Sequence, residues 1–403
     1  MRNKGKTIFC VALILQPLVR LYGLPAIGGT FADYIIIGVA LYIILRRSNS
    51  LLRISSKKEA VELLPIMVCV AINIVFTINR SFGVAEQLIY WMRYCLYYFV
   101  LIYGVKSFYD VEYGYRVYQL AAYACTIFLF VQIIASSVFS IYIPGQFGSL
   151  ALTDIEAGYE DYLLYLPYNL FRPDSFFEEP AHYATFVSGY VMICSLREVN
   201  KWNIFSMILC SLGVLLSGST TGLAMVVLIW IMWFFRLISQ KKNTKYICPI
   251  LILVLIAMSV AVRTNTFQIM IDRTFNSESA LNSRFSWIDS FTAIIDNPIQ
   301  WFFGLGCSRG VIELAGWLPG WPLIIIQYGI MGVIFFVSAY FLLWIKANKM
   351  GKLILIYFII LGCGTEAIVD VYVLVVLPFV IQCESLGNWV QSGLKKQSNV
   401  KIL

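Results

Sequence analysis

The chain has 403 residues, 60% of them hydrophobic and only 13% charged, with a mean hydropathy of +0.79. Soluble globular domains carry roughly 25% charged residues, so the composition excludes a soluble protein and asks for a surface that faces lipid. The formal net charge of +8 does not point to nucleic acid, because the basic residues sit in short segments between apolar runs, the pattern of a helical membrane protein oriented by its positive loops.

In chain order, the apolar runs predict an all-α, polytopic integral membrane protein with about 12 transmembrane helices. They fall near residues 7–22, 26–45, 60–78, 84–105, 115–138, 180–196, 202–217, 220–238, 246–263, 318–345, 352–364 and 368–387. The basic Met1–Lys6 stretch precedes the first run without a small-x-small cleavage site, so this run reads as a membrane helix rather than a removed signal. With the N-terminus placed in the cytoplasm, the inside segments hold 21 Lys and Arg and the outside segments 7. That asymmetry puts both termini inside. The whole of 1–403 then forms a single polytopic membrane domain, with long external loops at 139–178 and 264–317. Long loops in a compact protein are usually functional.

Three sets of residues stand out along this frame. In the fourth run, Glu86, Tyr90, Arg93, Tyr94 and Tyr97 share one helix face. Arg93 lies about 13 Å into that run, where a charge must face protein or water; it lines a cavity or pairs with Asp33 or Glu366. Glu366 and Asp370, one turn apart, form a similar pair on the outer side. At the end of the first loop, Pro180 fits the first position of a helix and Glu179 its N-cap, where the dipole favours a carboxylate. That reading makes Glu179 a plain cap. Arg172, Glu178 and His182, the only histidine, gather beside it and make the same segment a candidate site.

The second loop holds Arg263, Arg273, Arg284 and Arg309, which stand against the positive-inside bias. Arg is suited to bidentate capture of phosphate oxygens; the alternative is pairing with Asp272, Asp289 or Asp296. Leu281, Phe285, Ile288, Phe291 and Ile295 recur at helical spacing, and Asn297-Pro298 reads as the stop of that run. The cysteines form no CxxC pair and no cluster with His. With no Walker loop, dinucleotide fingerprint, HExxH or haem motif, no cofactor and no metal are expected.

Three stretches resemble the O-antigen polymerase (Wzy-type) family, part of the O-antigen ligase-like superfamily. Phe176-Phe177-Glu178-Glu179-Pro180-Ala181-His182 resembles its F-x-E-P segment. Leu215-Leu216-Ser217-Gly218-Ser219-Thr220-Thr221-Gly222 is similar to its leucine-rich segment ending in Ser-Arg-Thr-Gly, departing at Ser219-Thr220-Thr221, where an Arg often stands. Arg284 to Gly306, with Trp287, Asn297-Pro298 and Gly304-Leu305-Gly306, resembles its second outside loop. The resemblance covers about residues 170–335.

It implies a GT-C-like helical bundle in the bacterial cytoplasmic membrane and a glycosyltransferase that polymerises lipid-linked repeat units of O-antigen, capsule or exopolysaccharide. The implied substrate is an undecaprenyl-pyrophosphate-linked oligosaccharide, the surroundings the lipid bilayer, and the partners a chain-length regulator and a flippase. In that reaction Arg172, Arg284, Arg273 and Arg309, with Arg93 and Glu366, hold pyrophosphate or glycan, and Glu179 or His182 is the catalytic base. An O-antigen ligase would share the chemistry with a different acceptor. A glycolipid flippase or transporter is a further alternative, although no internal repeat is visible.

Overall fold

In the computed structural model, the structure describes residues 4–23, 29–47, 59–77, 84–145, 164–165, 170–239, 297–307, 311 and 318–389. The expected run at 246–263, the helix at 281–295, and Arg263, Arg273, Arg284 and Arg309 lie outside the described residues. What is described is helical, apart from a two-residue antiparallel pairing of β1 (Leu164–Tyr165) with β2 (Leu170–Phe171) in the first long loop.

The helices follow the apolar runs, and their breaks have local causes. The first run is divided into α1 (Lys4–Ile14) and α2 (Gln16–Val19), with Pro17 in the first turn of α2; proline supplies no N–H and is favoured at a helix start, where none is needed. α3 (Phe31–Arg47) starts at a reciprocal cap: the Thr30 N–H donates to Asp33 Oδ2 at 2.8 Å, and the Asp33 N–H donates to Thr30 Oγ1 at 3.2 Å. α4 (Leu64–Thr77), α5 (Val84–Tyr103), α6 (Val105–Phe108) and α7 (Val111–Phe139) follow. After the β pairing come α8 (Pro180–Ser195), α9 (Lys201–Leu216) and α10 (Thr220–Ser239). The C-terminal part holds α11 (Pro298–Phe303), α12 (Gly320–Lys346), α13 (Lys349–Leu361), a 3-10 turn at Glu366–Ile368, and α14 (Val373–Ile381).

Asn297-Pro298, expected to stop a helix, begins one. The Asn297 side chain accepts the Gln300 N–H at 2.9 Å, and Pro298 occupies the first turn of α11. Asn before Pro is an equally good N-cap and N1 pair, so the same dipeptide reads both ways in sequence.

Among the described residues three helices, α7, α10 and α12, are long and apolar enough to cross a membrane. Each presents an apolar stripe outward at helical spacing: Ile127, Val131, Ile134 and Val138 on α7; Val227, Ile231, Phe235 and Ile238 on α10; Ile330, Ile334, Val337 and Phe341 on α12. Exposed apolar stripes of this extent mark a surface made for lipid or a partner. α4 with its leading turn and α9 are apolar but shorter.

The chain groups into two compact units, Met1–Tyr118 with Ser283–Ser392, and Gln119–Asn282 with Gly393–Leu403. In the first, α12 packs on α4 and α11, α5 packs on α3 and α4, and α13 packs on α14. α12 is broken at Gly329, with φ +68, and the hydrogen bonds lost there are remade by the loop after α11. The Leu305 N–H donates to Ile326 O at 2.8 Å and the Gly306 N–H to Gln327 O at 3.0 Å. The approach is close enough that a Cβ on Gly329 would stand 2.5 Å from the Phe302 backbone.

Ion pairs lie toward both ends of α3. At its C-terminal end Arg47 pairs with Glu59 and donates to Tyr103 O at 2.8 Å, while Lys106 Nζ donates to Glu59 O at 2.9 Å. Asp33, about 21 Å away along the helix at 1.5 Å per residue, belongs to the other set.

In the second unit α8 is the central helix, with every residue from Tyr183 to Ser195 buried, flanked by α9 and α10. A helix apolar on all sides belongs in the interior.

Candidate functional site

The second unit builds its site on α7. Cys125, Leu129 and Gln132 are fully buried and recur at i, i+4 and i+7, one helix face. A buried Gln must find partners, and this one finds them in the segment before α8. Its Oε1 accepts the Ser175 N–H at 2.8 Å; its Nε2 donates to Ile143 O at 3.0 Å and to Asp174 Oδ1 at 3.3 Å. Ser175 Oγ donates to Cys125 O at 2.7 Å, and Phe176 stacks on Phe128 with ring centroids 4.4 Å apart. These contacts hold Ser175 at φ +58, a left-handed conformation that costs a non-glycine residue roughly 1–3 kcal/mol and persists where the surroundings over-determine it. Asp174 is buried within the same clamp. Burial pushes its carboxyl up to about 7, offset in part by the Gln132 amide.

The clamp fixes the residues on both sides. Arg172 extends over the turn between α9 and α10. That turn reverses through Gly218 at φ +69, and the Ser219 Oγ accepts the Gly222 N–H at 3.1 Å to start α10. A Cβ on Gly218 would stand 3.7 Å from Arg172 Nε and 3.8 Å from its Cγ. Arg172, four residues before the Phe176–His182 stretch, thus reaches the Leu215–Gly222 stretch.

On the other side of the clamp Glu179 caps α8 through its backbone alone. It is extended, at φ −142 and ψ 153, and its carbonyl accepts the His182 N–H at 3.0 Å and the Tyr183 N–H at 3.2 Å. Its carboxylate makes no capping hydrogen bond, so the carboxylate is not what starts the helix. His182 Nδ1 lies 4.0 Å from Glu178 Oε2 across the first turn.

The first unit places Arg93 and Glu366 in a different cluster. Arg93 forks onto Asp33, Nε to Oδ1 at 2.6 Å and Nη2 to Oδ2 at 2.8 Å, and its guanidinium lies 5.7 Å from the Tyr90 ring centroid. Glu366 is 3.6 Å from Arg20, which also pairs with Asp370. Tyr97 lies within electrostatic reach of Asp370, Arg93, Asp33 and Arg20, and Tyr94 of Asp370 and Glu366.

Sequence reasoning singled out Arg172, Glu179 and His182, and the fold places all three around one segment. It missed Gln132, Ser175 and Arg20 as members of these clusters. Gln132 was detectable as a polar residue on the apolar face of a long run, and Arg20 as a cation closing an apolar one. The positive φ of Ser175 leaves no trace in sequence. Among the described residues no group of three or more His, Cys, Asp or Glu side chains converges as a metal site would.

No protein-family model matches the chain, and no curated protein sequence matches it.

Proposed function

We propose that this chain is a membrane glycosyltransferase that polymerises undecaprenyl-pyrophosphate-linked oligosaccharide units at the outer face of the bacterial cytoplasmic membrane. The observation that carries the reading is the contact of Arg172 with the Gly218 turn: the residue that leads into the Phe176–His182 stretch, which resembles one motif of the Wzy-type family, reaches the Leu215–Gly222 stretch, which resembles another. The finer architecture proposed with it is a GT-C-like bundle of about twelve spans with both termini in the cytoplasm. The three long apolar helices and the count of basic residues support that frame.

The chemistry asked of the site is modest. A hydroxyl oxygen of the acceptor unit attacks the anomeric carbon of the donor glycan. The bond from that carbon to the pyrophosphate oxygen breaks, and undecaprenyl pyrophosphate leaves with the electron pair. The hydroxyl proton goes to a base. Arg172 neutralises the departing pyrophosphate, the role that the resemblance also gives to Arg284, Arg273 and Arg309 of the second loop. Glu179, whose carboxylate is not spent on the helix cap, is the better-placed proton acceptor, with His182 beside it as the other.

A transporter reading draws on broken helices, whose exposed carbonyls bind ions or substrate. The break in α12 does not serve that end, since the Ile326 and Gln327 carbonyls are taken by the Leu305 and Gly306 N–H groups. A ligase would use the same groups with another acceptor. The surface glycan of a deletion strain separates the three. A single capped repeat unit is expected. Polymer accumulating free on the carrier lipid would make the protein a ligase, and units retained inside the cell would make it a flippase.

A further inference from the structure

We infer that the ion-pair network of the first unit binds the hydroxyl groups of a sugar, apart from the arginines that take phosphate; this deepens the glycosyltransferase reading and rests on it. Two ion-pair sets lie there, both within electrostatic reach of Tyr97: Arg93 in α5 with Asp33 in the first turn of α3, and Arg20 after α2 with Glu366 in the 3-10 turn and Asp370 beyond it. Two cations stand against three carboxylates, and each guanidinium already faces a carboxylate. A phosphate entering this network would meet net negative charge and would have to displace a carboxylate. A sugar hydroxyl meets no such cost. It donates to carboxylate lone pairs and accepts from guanidinium N–H groups, of which each Arg carries five. The Tyr90 ring next to Arg93 adds an aromatic surface of the kind that packs against apolar faces of ligands.

The contrast with the other end of α3 decides against a purely structural staple. There the Arg47 and Glu59 side chains are 6% and 1% exposed, sealed as a helix-joining pair should be. Here Arg93 is 30% and Glu366 33% exposed. Charges within a largely apolar helical unit that are left only partly covered by protein mark a pathway or a site. A second observation is independent of the charges. Gln16, one turn before Arg20 and on the same helix face, is fully buried, and neither atom of its amide has a hydrogen-bond partner among the described residues. An unpaired buried amide is costly. A hydroxyl reaching past Arg20 supplies both the donor and the acceptor that Gln16 needs.

The test is saturation-transfer NMR on the full-length protein in nanodiscs. The probe is an oligosaccharide prepared by partial acid hydrolysis of the producing strain's surface polysaccharide. Wild type and Arg116→Ala, which touches only an exposed pair on α7, should bind it. Glu366→Gln should weaken binding by about tenfold, the loss expected for a hydrogen bond to a charged group, and Tyr90→Leu, which removes the aromatic surface, should weaken it as well. Gln16→Leu should weaken binding and also raise the melting temperature, because it removes a buried amide that has no partner in the free protein; a helix staple would lower both. Excess inorganic pyrophosphate should leave the probe bound. The site is overturned if wild type does not bind the probe, if Glu366→Gln and Gln16→Leu bind it like wild type, or if pyrophosphate displaces it. Normal polymer length in a deletion strain would instead overturn the polymerase reading, and leaves the binding result to stand by itself.

Discussion

The side-chain amide of Gln132 holds the backbone of Ser175, accepting its N–H at 2.8 Å from 43 residues away in the chain. Through that bond a transmembrane-length helix sets the position of Arg172 on one side and of Glu178 and Glu179 on the other. Gln132→Leu keeps the shape but strands a buried N–H, which costs about 1–3 kcal/mol. The expected outcome is a lower melting temperature of the purified protein and shortened polymer in cells. Wild-type chain length from Gln132→Leu would show that the clamp does not position the site.

Asp174 gives a pH signature. Its folded-state pKa is raised to about 7 from a reference of 3.8, so the folded state holds the proton more tightly than the unfolded chain. This stabilisation is complete below about pH 4 and is lost as pH rises through about 7. Asp174→Asn should therefore flatten the decline in melting temperature between pH 5 and pH 8 and be the more stable form at pH 8. A variant whose melting temperature runs parallel to wild type across that range would refute the assignment.

Arg172→Ala should abolish chain growth with normal protein levels. Arg172→Lys should restore only part, since an ammonium cannot make the paired planar contact with phosphate oxygens. Arg284→Ala in the second loop should behave like Arg172→Ala. Unaltered glycan length in both alanine variants would move donor binding elsewhere.

Glu179 and His182 are separable because the cap of α8 uses the Glu179 carbonyl rather than its carboxylate. Glu179→Gln should stop polymerisation yet change stability by no more than about 0.5 kcal/mol, the range for substitutions away from stabilising contacts. His182→Gln should only slow it. If Glu179→Gln retains full activity in a single-turnover assay with extracted lipid-linked units, the base is His182 or none.

The orientation is open to direct measurement. Reporter fusions at Ser149 and Ser279 should score outside, and fusions at Lys242 and at the C-terminus inside. A cytoplasmic signal at Ser279 would remove the second-loop arginines from the face where the reaction is proposed to occur.

The sequence by itself determined that the described segments are helical and several of their local ends, though not the sense of Asn297-Pro298, which begins a helix where an end was expected. Burial of backbone in an apolar surrounding forces helices wherever apolar residues run long enough, and Pro17, Thr30 with Asp33, and Pro180 mark breaks and starts through interactions within four residues. For the same reason it placed Glu179 at a helix start but could not tell a carboxylate cap from a carbonyl one. Partners at a distance were decided by the tertiary structure alone. Arg93 had two candidate carboxylates, and packing of α5 on α3 chose Asp33, 60 residues away, while Glu366 went to Arg20. Arg172 met Gly218 because the Ser175 clamp and the α9–α10 turn bring them there. Hydropathy and helical period are properties of neighbours along the chain. A charge inside an apolar fold takes whichever opposite charge the packing of helices brings within reach, and only the folded chain fixes that choice.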